Sequence, residues 1–329
     1  VIANRMDLTQ ICQKYKARII KVVPLEDYFL VETNRGTKEL REWPRVDVLR
    51  WSFQWREQMA RNGHRNVERF IRTRDAKPFV VVGKKGYTLT DHHRSVQTYL
   101  PSKEHAHYCG QLVAKMHEAQ SSFQLPVAFD LMKREQHLFV QEAQRARQMY
   151  QDLKSREAFP NERDKWLLSQ FPALLERMER SAEMLSAIDL PDDLLAVSHR
   201  YLGRENLGLI NEKVYLRGFY RPHLSIQHRD TAEYVRQLYI EEENLDQIDA
   251  FLEGYEATKP ISYKEYALLL AFTAFPREVW RGVEECLHSV DNAEEAHDRL
   301  MEKVKQQQKV DRLLQHIALR AEGGGWIYE

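Results

Sequence analysis

Glycine is scarce in this chain, 13 in 329 residues, and cysteine scarcer still, with 3. Few glycines leave few loops whose backbone could fold around a phosphate, and they tilt the chain toward helix. Cys12, Cys109 and Cys286 are odd in number and far apart, so neither a disulfide framework nor a zinc-ligand spacing is present. Neither sign of charge dominates, because 49 basic and 49 acidic side chains cancel. That balance excludes a general polyanion binder, and so a nucleic-acid partner held by bulk charge. No apolar run approaches the roughly 18 residues that read as a membrane span, and the N-terminus has no apolar stretch of the signal-peptide kind. Repeats and low-complexity linkers are missing too. These absences predict a soluble protein of the cell interior, long enough for about two domains with a sizeable core.

What is present changes character partway along. Ala17 to Val23 and Tyr28 to Thr33 are rich in β-branched and aromatic residues, and Asn34-Arg35-Gly36 supplies a turn before Lys38 to Trp43. Val48, Trp51, Trp55 and Met59 recur at three and four residues and predict a helix over 45–60, stopped by Asn62-Gly63. Phe79 to Val82 and Gly86 to Thr90 read as two further strands. Beyond Asp91 the period becomes helical. One helix ends near His117, a second covers 138–153, and Leu167, Phe171, Leu174, Met178 and Leu185 place a long one over 163–188. More follow over 231–243, 245–254, 263–275, 277–287 and 292–319, with short extended patches at 195–198 and 213–216. The predicted class is α+β: an N-lobe, 1–91, of antiparallel sheet with one helix after its third strand, then a mainly helical C-lobe, 92–329.

Particular residues fall at telling points on that layout. They include Tyr28 to Thr33 with Gly36, Leu40-Arg41, Leu89-Thr90, Leu112 to His117, Ser198-His199 with Asn206, Phe219, and Asp230-Thr231-Ala232 with Arg236. The longest stretch runs from Phe251-Leu252-Glu253-Gly254-Tyr255 to Phe275-Pro276-Arg277-Glu278-Val279-Trp280. With these residues the chain resembles the CotS-type spore-coat kinase-like family and its YutH-like branch, within the aminoglycoside and choline phosphotransferase superfamily, over about 10–320. The resemblance implies a bilobal protein-kinase-like fold. It also implies other spore-coat or morphogenetic proteins as partners, and residence in the mother-cell cytoplasm and then the coat.

Phosphoryl transfer asks for a lysine on the third strand, an aspartate to orient the acceptor hydroxyl, and carboxylate with amide ligands for magnesium. In the family pattern the catalytic loop reads His-Gly-Asp-x-x-x-x-Asn. The segment 198–206 keeps the spacing from His199 to Asn206 but puts Tyr201 in the aspartate position. The Ile-Asp-Phe of the metal strand, within 214–220, becomes Arg217-Gly218-Phe219, with Gly218 where the carboxylate should stand. Tyrosine, with a pKa near 10, is a poor base at neutral pH, and glycine offers no ligand to a cation that expects carboxylate oxygen. The lysine position holds Arg41, whose planar fork does not replace a compact ammonium, and Glu57 on the following helix is the expected ion-pair partner. Pro24-Leu25-Glu26-Asp27 stands where a phosphate loop would run, with two carboxylates that repel a triphosphate. The expectation is a pseudokinase with no catalytic residues, no metal ligands, no cofactor, and weak or absent binding of ATP and magnesium.

Other patterns in the chain stand beside these. His228-Arg229-Asp230 spells the protein-kinase catalytic triplet, but Val235 stands where its asparagine should be, so Asp230 reads as a helix cap that holds the loop. His105, His107 and Cys109 sit too close together on one helix to converge on a metal. The pair His92-His93 at the lobe connection reads as solvated. Arg200, Arg204, Arg217 and Arg221 crowd the segments that lost their carboxylates, which suggests an anion-attracting cleft. Two alternatives to an interaction protein therefore stand: a divergent ATP-dependent phosphotransferase, or a metal-independent nucleotide or anion sensor.

Overall fold

A computed structural model of the chain describes residues 5–26, 28–92, 97–98, 102–121, 128–155, 162–189, 195–198, 202, 206–210, 213–216, 223–288 and 292–323. They form two units, each with its own packing. The first gathers Val1–Leu100, Glu118–Ser122 and Arg204–His223; the second gathers Pro101–His117, Phe123–Gly203 and Leu224–Glu329.

In the first unit, β1 (Ile19–Pro24), β2 (Phe29–Thr33), β3 (Gly36–Trp43), β4 (Val80–Val82) and β5 (Lys85–Asp91) build one antiparallel sheet in the order β1-β2-β3-β5-β4. The predicted turn forms where expected. Gly36 takes φ +85, a conformation that glycine adopts without strain, and Thr33 Oγ1 donates to its carbonyl at 2.6 Å. Register alternates side chains across the sheet, so Val31, Leu40, Tyr87 and Leu89 pack with Leu8, Ile11, Cys12 and Tyr15 of the N-terminal segment. That segment begins with a helix not expected from the sequence, α1 (Arg5–Gln13). The expected inserted helix is α2 (Val46–Arg61), but its buried face is Leu49, Ser52, Trp55, Arg56 and Met59, leaving Val48 and Trp51 half-buried.

A second, three-stranded sheet completes this unit: β6 (Gln97–Thr98), β8 (Leu207–Ile210) and β9 (Lys213–Leu216), in the order β6-β8-β9. The segment after α2 is tied to it by bonds at 2.9 Å, from Leu216 N to the Asn66 carbonyl and from Asn66 Nδ2 to the Val214 carbonyl.

In the second unit, α3 (Lys103–Ser121), α4 (Ala128–Ser155), α5 (Glu162–Ala187), α6 (Arg229–Glu242), α7 (Leu245–Glu256), α8 (Tyr263–Ala274), α9 (Arg277–His288) and α10 (Ala293–Gly323) carry the bulk, with β7 (Leu195–Ser198) bonded to β10 (His223–Ile226). The stripe Leu167, Phe171, Leu174, Leu175, Met178 and Leu185 is buried, as its spacing predicts. α3 and α7 cross backbone to backbone. A Cβ on Gly110 would stand 1.9 Å from the Phe251 carbonyl oxygen, and one on Gly254 would stand 2.0 Å from that of His107. Arg236 fastens α6 to its neighbours, donating to the Phe275 carbonyl at 2.7 Å and to Gln307 Oε1 at 2.8 Å and pairing with Glu278 at 2.6 Å. No helix among the described residues is long and apolar enough to cross a membrane.

Candidate functional site

Arg41 stands on the third strand, as expected, and its surroundings decide what it can do. Residues two apart on a strand share a face, so Glu39 lies beside it. Arg41 Nη2 donates to Glu39 Oε2 at 2.9 Å, and the other carboxylate oxygen of Glu39 lies 2.7 Å from His92 Nδ1. The two side chains are only 9% and 12% exposed. On its other side the guanidinium lies 4.2 Å from the centre of the Tyr28 ring, a cation–π contact. Tyr28 closes the β1–β2 turn, where Leu25 N donates to its carbonyl at 2.8 Å. The charge of Arg41 is thus answered from within the unit. A phosphate arriving here would have to displace Glu39 or leave a carboxylate beside itself.

The carboxylate expected at Arg41 is engaged elsewhere. Glu57 accepts from Arg69 at 3.1 Å and from Arg72 at 2.9 Å. The cause lies one residue earlier. Arg56 is the α2 side chain that turns inward, 3% exposed, with Nε donating to Ser52 Oγ at 3.3 Å, Nη1 bonded to the Glu68 carbonyl, and the guanidinium 4.6 Å from the Phe70 ring centre. Neighbouring helix positions point in different directions, so Glu57 faces the segment carrying Arg69 and Arg72. His92, expected to be solvated, is bonded to Glu39; its side chain is 26% exposed.

The second unit holds a different polar cluster. Gln227 and His228 precede α6, and His228 adopts φ 73, a left-handed conformation rare outside glycine and asparagine. His228 is the residue before the helix, so it occupies the capping position assigned to Asp230. Asp230 lies instead in the first turn of α6, 3% exposed, where a carboxylate favours the helix dipole. Gln227 Nε2 donates to Tyr255 Oη at 3.0 Å and to Glu265 Oε1 at 2.7 Å, and His228 Nε2 lies 3.2 Å from the same oxygen. Lys259 Nζ donates to Glu265 Oε1 at 2.7 Å, while Glu265 and Ser262 form the capping box of α8. Tyr255 Oη is 2.7 Å from His117 Nδ1.

Burial lowers both histidines below the usual imidazole value, and Lys259 lowers them further. Burial alone would raise Glu265, but donation from His228, Lys259 and the Ser262 amide holds it far below the usual carboxylate range. Burial together with neighbouring Asp230 pushes the Glu233 carboxyl up to about 7. Cys109 is a buried thiol pushed up to about 12 by burial, which makes it inert as a nucleophile. Among the described residues no three His, Cys, Asp or Glu side chains are placed to hold a metal ion.

Asn206 lies immediately before β8, half-buried. The other expected positions, His199, Arg200, Tyr201, Arg204, Arg217, Gly218 and Arg221, lie outside the described residues, as does Asp27. Sequence reasoning missed Tyr28 and Glu39 as neighbours of Arg41. The alternation Glu39, Leu40, Arg41 was the available signal for Glu39; nothing local marked His92.

A family model described as spore coat putative kinase YutH matches residues 9–317. The fold is similar to that of an aminoglycoside phosphotransferase from Alicyclobacillus acidocaldarius subsp. acidocaldarius DSM 446, with TM-score 0.79 and 18% identity, covering 95% of this chain and 96% of that one. It is also similar to a microcompartment-associated aminopropanol kinase, with TM-score 0.61, 15% identity and coverage of 97% and 100%. An amicoumacin kinase solved with AMP-PNP and Ca2+ matches with TM-score 0.62 at 10% identity, over 94% of each chain. No curated protein matches the sequence.

Proposed function

Because the chain belongs to the YutH spore-coat kinase family, we propose that it is a catalytically inactive member, a kinase-fold protein that serves the spore coat or its assembly through protein contacts. The observation that carries this reading is the closed Arg41 cluster, with Glu39 at 2.9 Å and Tyr28 at 4.2 Å on the strand that would hold a phosphate-binding lysine. The sequence supports it independently, since Tyr201 and Gly218 stand at the positions of the acceptor-orienting and metal-binding carboxylates. Losing a positioned base costs about 10²- to 10⁴-fold in rate, and a site without carboxylate has no anchor for magnesium. Its partners are other coat or morphogenetic proteins, met first in the mother-cell cytoplasm and then in the coat, and it needs no cofactor.

The test is a thermal melt with ATP, with and without magnesium. A ligand at about a hundred times its Kd stabilises by about 2.7 kcal/mol, which moves a melt by roughly 5–10 °C. The expected result is no shift in either condition. A magnesium-dependent shift would overturn the reading and restore the phosphotransferase. A shift without magnesium would replace it with an anion or nucleotide sensor that uses Arg200, Arg204, Arg217 and Arg221.

A further inference from the structure

The second unit contains a cavity of about 550 Å³ in a groove lined by α5, α8 and α10. Its apolar lining is Met184 from α5, Leu270 and Ala274 from α8, and Leu314 and Ala318 from α10. The polar groups between them are already matched. Arg177 makes two bonds of 2.6 Å to Asp311, and Ser181 Oγ donates to the Ala271 carbonyl at 2.6 Å. Glu176, Arg180 and Gln315 are exposed at the rim. Such a groove has no open polar group in its floor to hold a polar ligand, and its apolar surface gains by being covered. A hollow of about 150 Å³ already holds a benzene ring, so this one has room for more than one large side chain.

The chain itself supplies an occupant of that chemistry. α10 ends at Gly323, and Gly324-Gly325-Trp326-Ile327-Tyr328-Glu329 follow it, outside the described residues. Consecutive glycines can take the left-handed conformation that stops a helix and turns the chain back along it. The surface at that end is apolar as well. Leu319 of α10 is 67% exposed and Tyr263, the first residue of α8, 65%, the two most exposed large hydrophobic side chains among the described residues. Arg320 Nε donates to Tyr266 Oη at 3.1 Å, which sets the start of α8 beside the end of α10. We propose that Trp326, Ile327 and Tyr328 fold back along α10 and bury their side chains in this groove. The reach suffices. Ala318 lies five residues before Gly323 and Leu314 nine, about 7.5 and 13.5 Å along the helix axis. The five residues from Gly323 to Tyr328 extend over as much as about 17 Å, so both levels are within range of the returning segment.

The test isolates Trp326 from the other tryptophans by the difference in fluorescence between the full chain and Trp326→Phe. Its emission is expected to be blue-shifted from that of the free peptide Gly-Gly-Trp-Ile-Tyr-Glu and at least threefold less quenched by acrylamide. Ala318→Glu, which puts a charge into the groove, should return both readings to the peptide's values. Arg312→Glu, at an exposed position of α10 that does not line the groove, should leave them unchanged. A second measurement does not require the fold to tolerate a charge in the groove. In the full chain carrying Trp326→Ser, Ile327→Ser and Tyr328→Ser, amides of 173–184 and 311–318 should exchange at least threefold faster than in the unaltered chain, because the groove has lost its cover. Trp326 quenched as freely as the peptide, shielding that Ala318→Glu retains, or exchange that the serine variant leaves unchanged overturns the proposal. Shielding that disappears on dilution assigns the segment to the groove of a second copy and overturns it too. The ATP melt bears on the Arg41 cluster and leaves these results unaffected.

Discussion

Acidification from pH 6.5 to 5.5 should cost the second unit about 1 kcal/mol more than it costs the same unit carrying His117→Gln. The reasoning starts from burial: His117 is 3% exposed and His228 not at all, and their rings lie 5.7 Å apart. Each is held below its ordinary value of 6.5, first by burial. At these two positions the folded unit binds fewer protons than the unfolded chain, so they make stability rise with pH; Glu233, held up near 7, works against them over the same range and cancels when wild type and variant are compared. The histidines' contribution is complete well above 6.5 and drains away as pH falls, by about 1 kcal/mol between 6.5 and 5.5 for each histidine that stays neutral and at about 1.4 kcal/mol per unit further down.

Glu265 works in the same direction but in another window. Its lowered carboxyl contributes stability above the unfolded value of 4.5 and loses it only in stronger acid, so it adds no slope between 6.5 and 5.5. Tyr255 Oη accepts from Gln227 and so donates to His117 Nδ1. The glutamine carbonyl can accept that same bond but does not titrate. Free energies of opening would be read from hydrogen exchange of the α7 and α8 amides at pH 5.5, 6.5 and 7.5, which reports the second unit by itself. The remaining histidines cancel in the difference between wild type and variant. Equal pH slopes for the two proteins would refute the reasoning.

Gly110→Ala should destabilise the second unit by about 3 kcal/mol, the upper end for overpacking, because the new Cβ meets backbone at 1.9 Å and not a side chain that could turn away; a fall in melting temperature of roughly 6–12 °C is the check, and a fall under 2 °C would show that the helices can part cheaply. The double variant Tyr201→Asp, Gly218→Asp should gain neither ATP binding nor phosphate transfer while Arg41 stays tied to Glu39 and Tyr28; radiolabelled transfer to any acceptor would show that the two carboxylates were all that was missing.

Period and turn chemistry made most of the elements readable in the sequence. The stripe on α5 and the strand–turn–strand of β2 and β3 formed where their residues said, because both rest on contacts within one element or between neighbours. α1 was legible but overlooked, for Leu8, Ile11, Cys12 and Tyr15 recur at the helical spacing and all are buried. α4 starts at Ala128, well before the expected 138. The site was less readable. Glu39 could be placed beside Arg41 from strand alternation, but His92, 53 residues away, joins them only through sheet register. Arg56 and Glu57 are adjacent charged residues on one helix, and which of them turns inward depends on Ser52, Glu68 and Phe70. His228 belongs to a misleading triplet in the sequence, whereas its place is in a buried network with Gln227, with His117, Tyr255 and Glu265 from α3, α7 and α8, and with Lys259 between the last two.

The Arg41 cluster also bears on how readily such a strand can be altered. Removing Glu39 alone takes the carboxylate from a guanidinium whose side chain is 9% exposed, and removing Arg41 alone leaves Glu39 with His92; breaking one side of a fully buried pair costs about 3–5 kcal/mol, the upper bound here. Installing a lysine at position 41 leaves the Tyr28 ring and Glu39 in place around it. Each single change within the cluster is therefore a step down in stability. The cluster acts as a ratchet, and a designer who wishes to change it must replace the whole group at once.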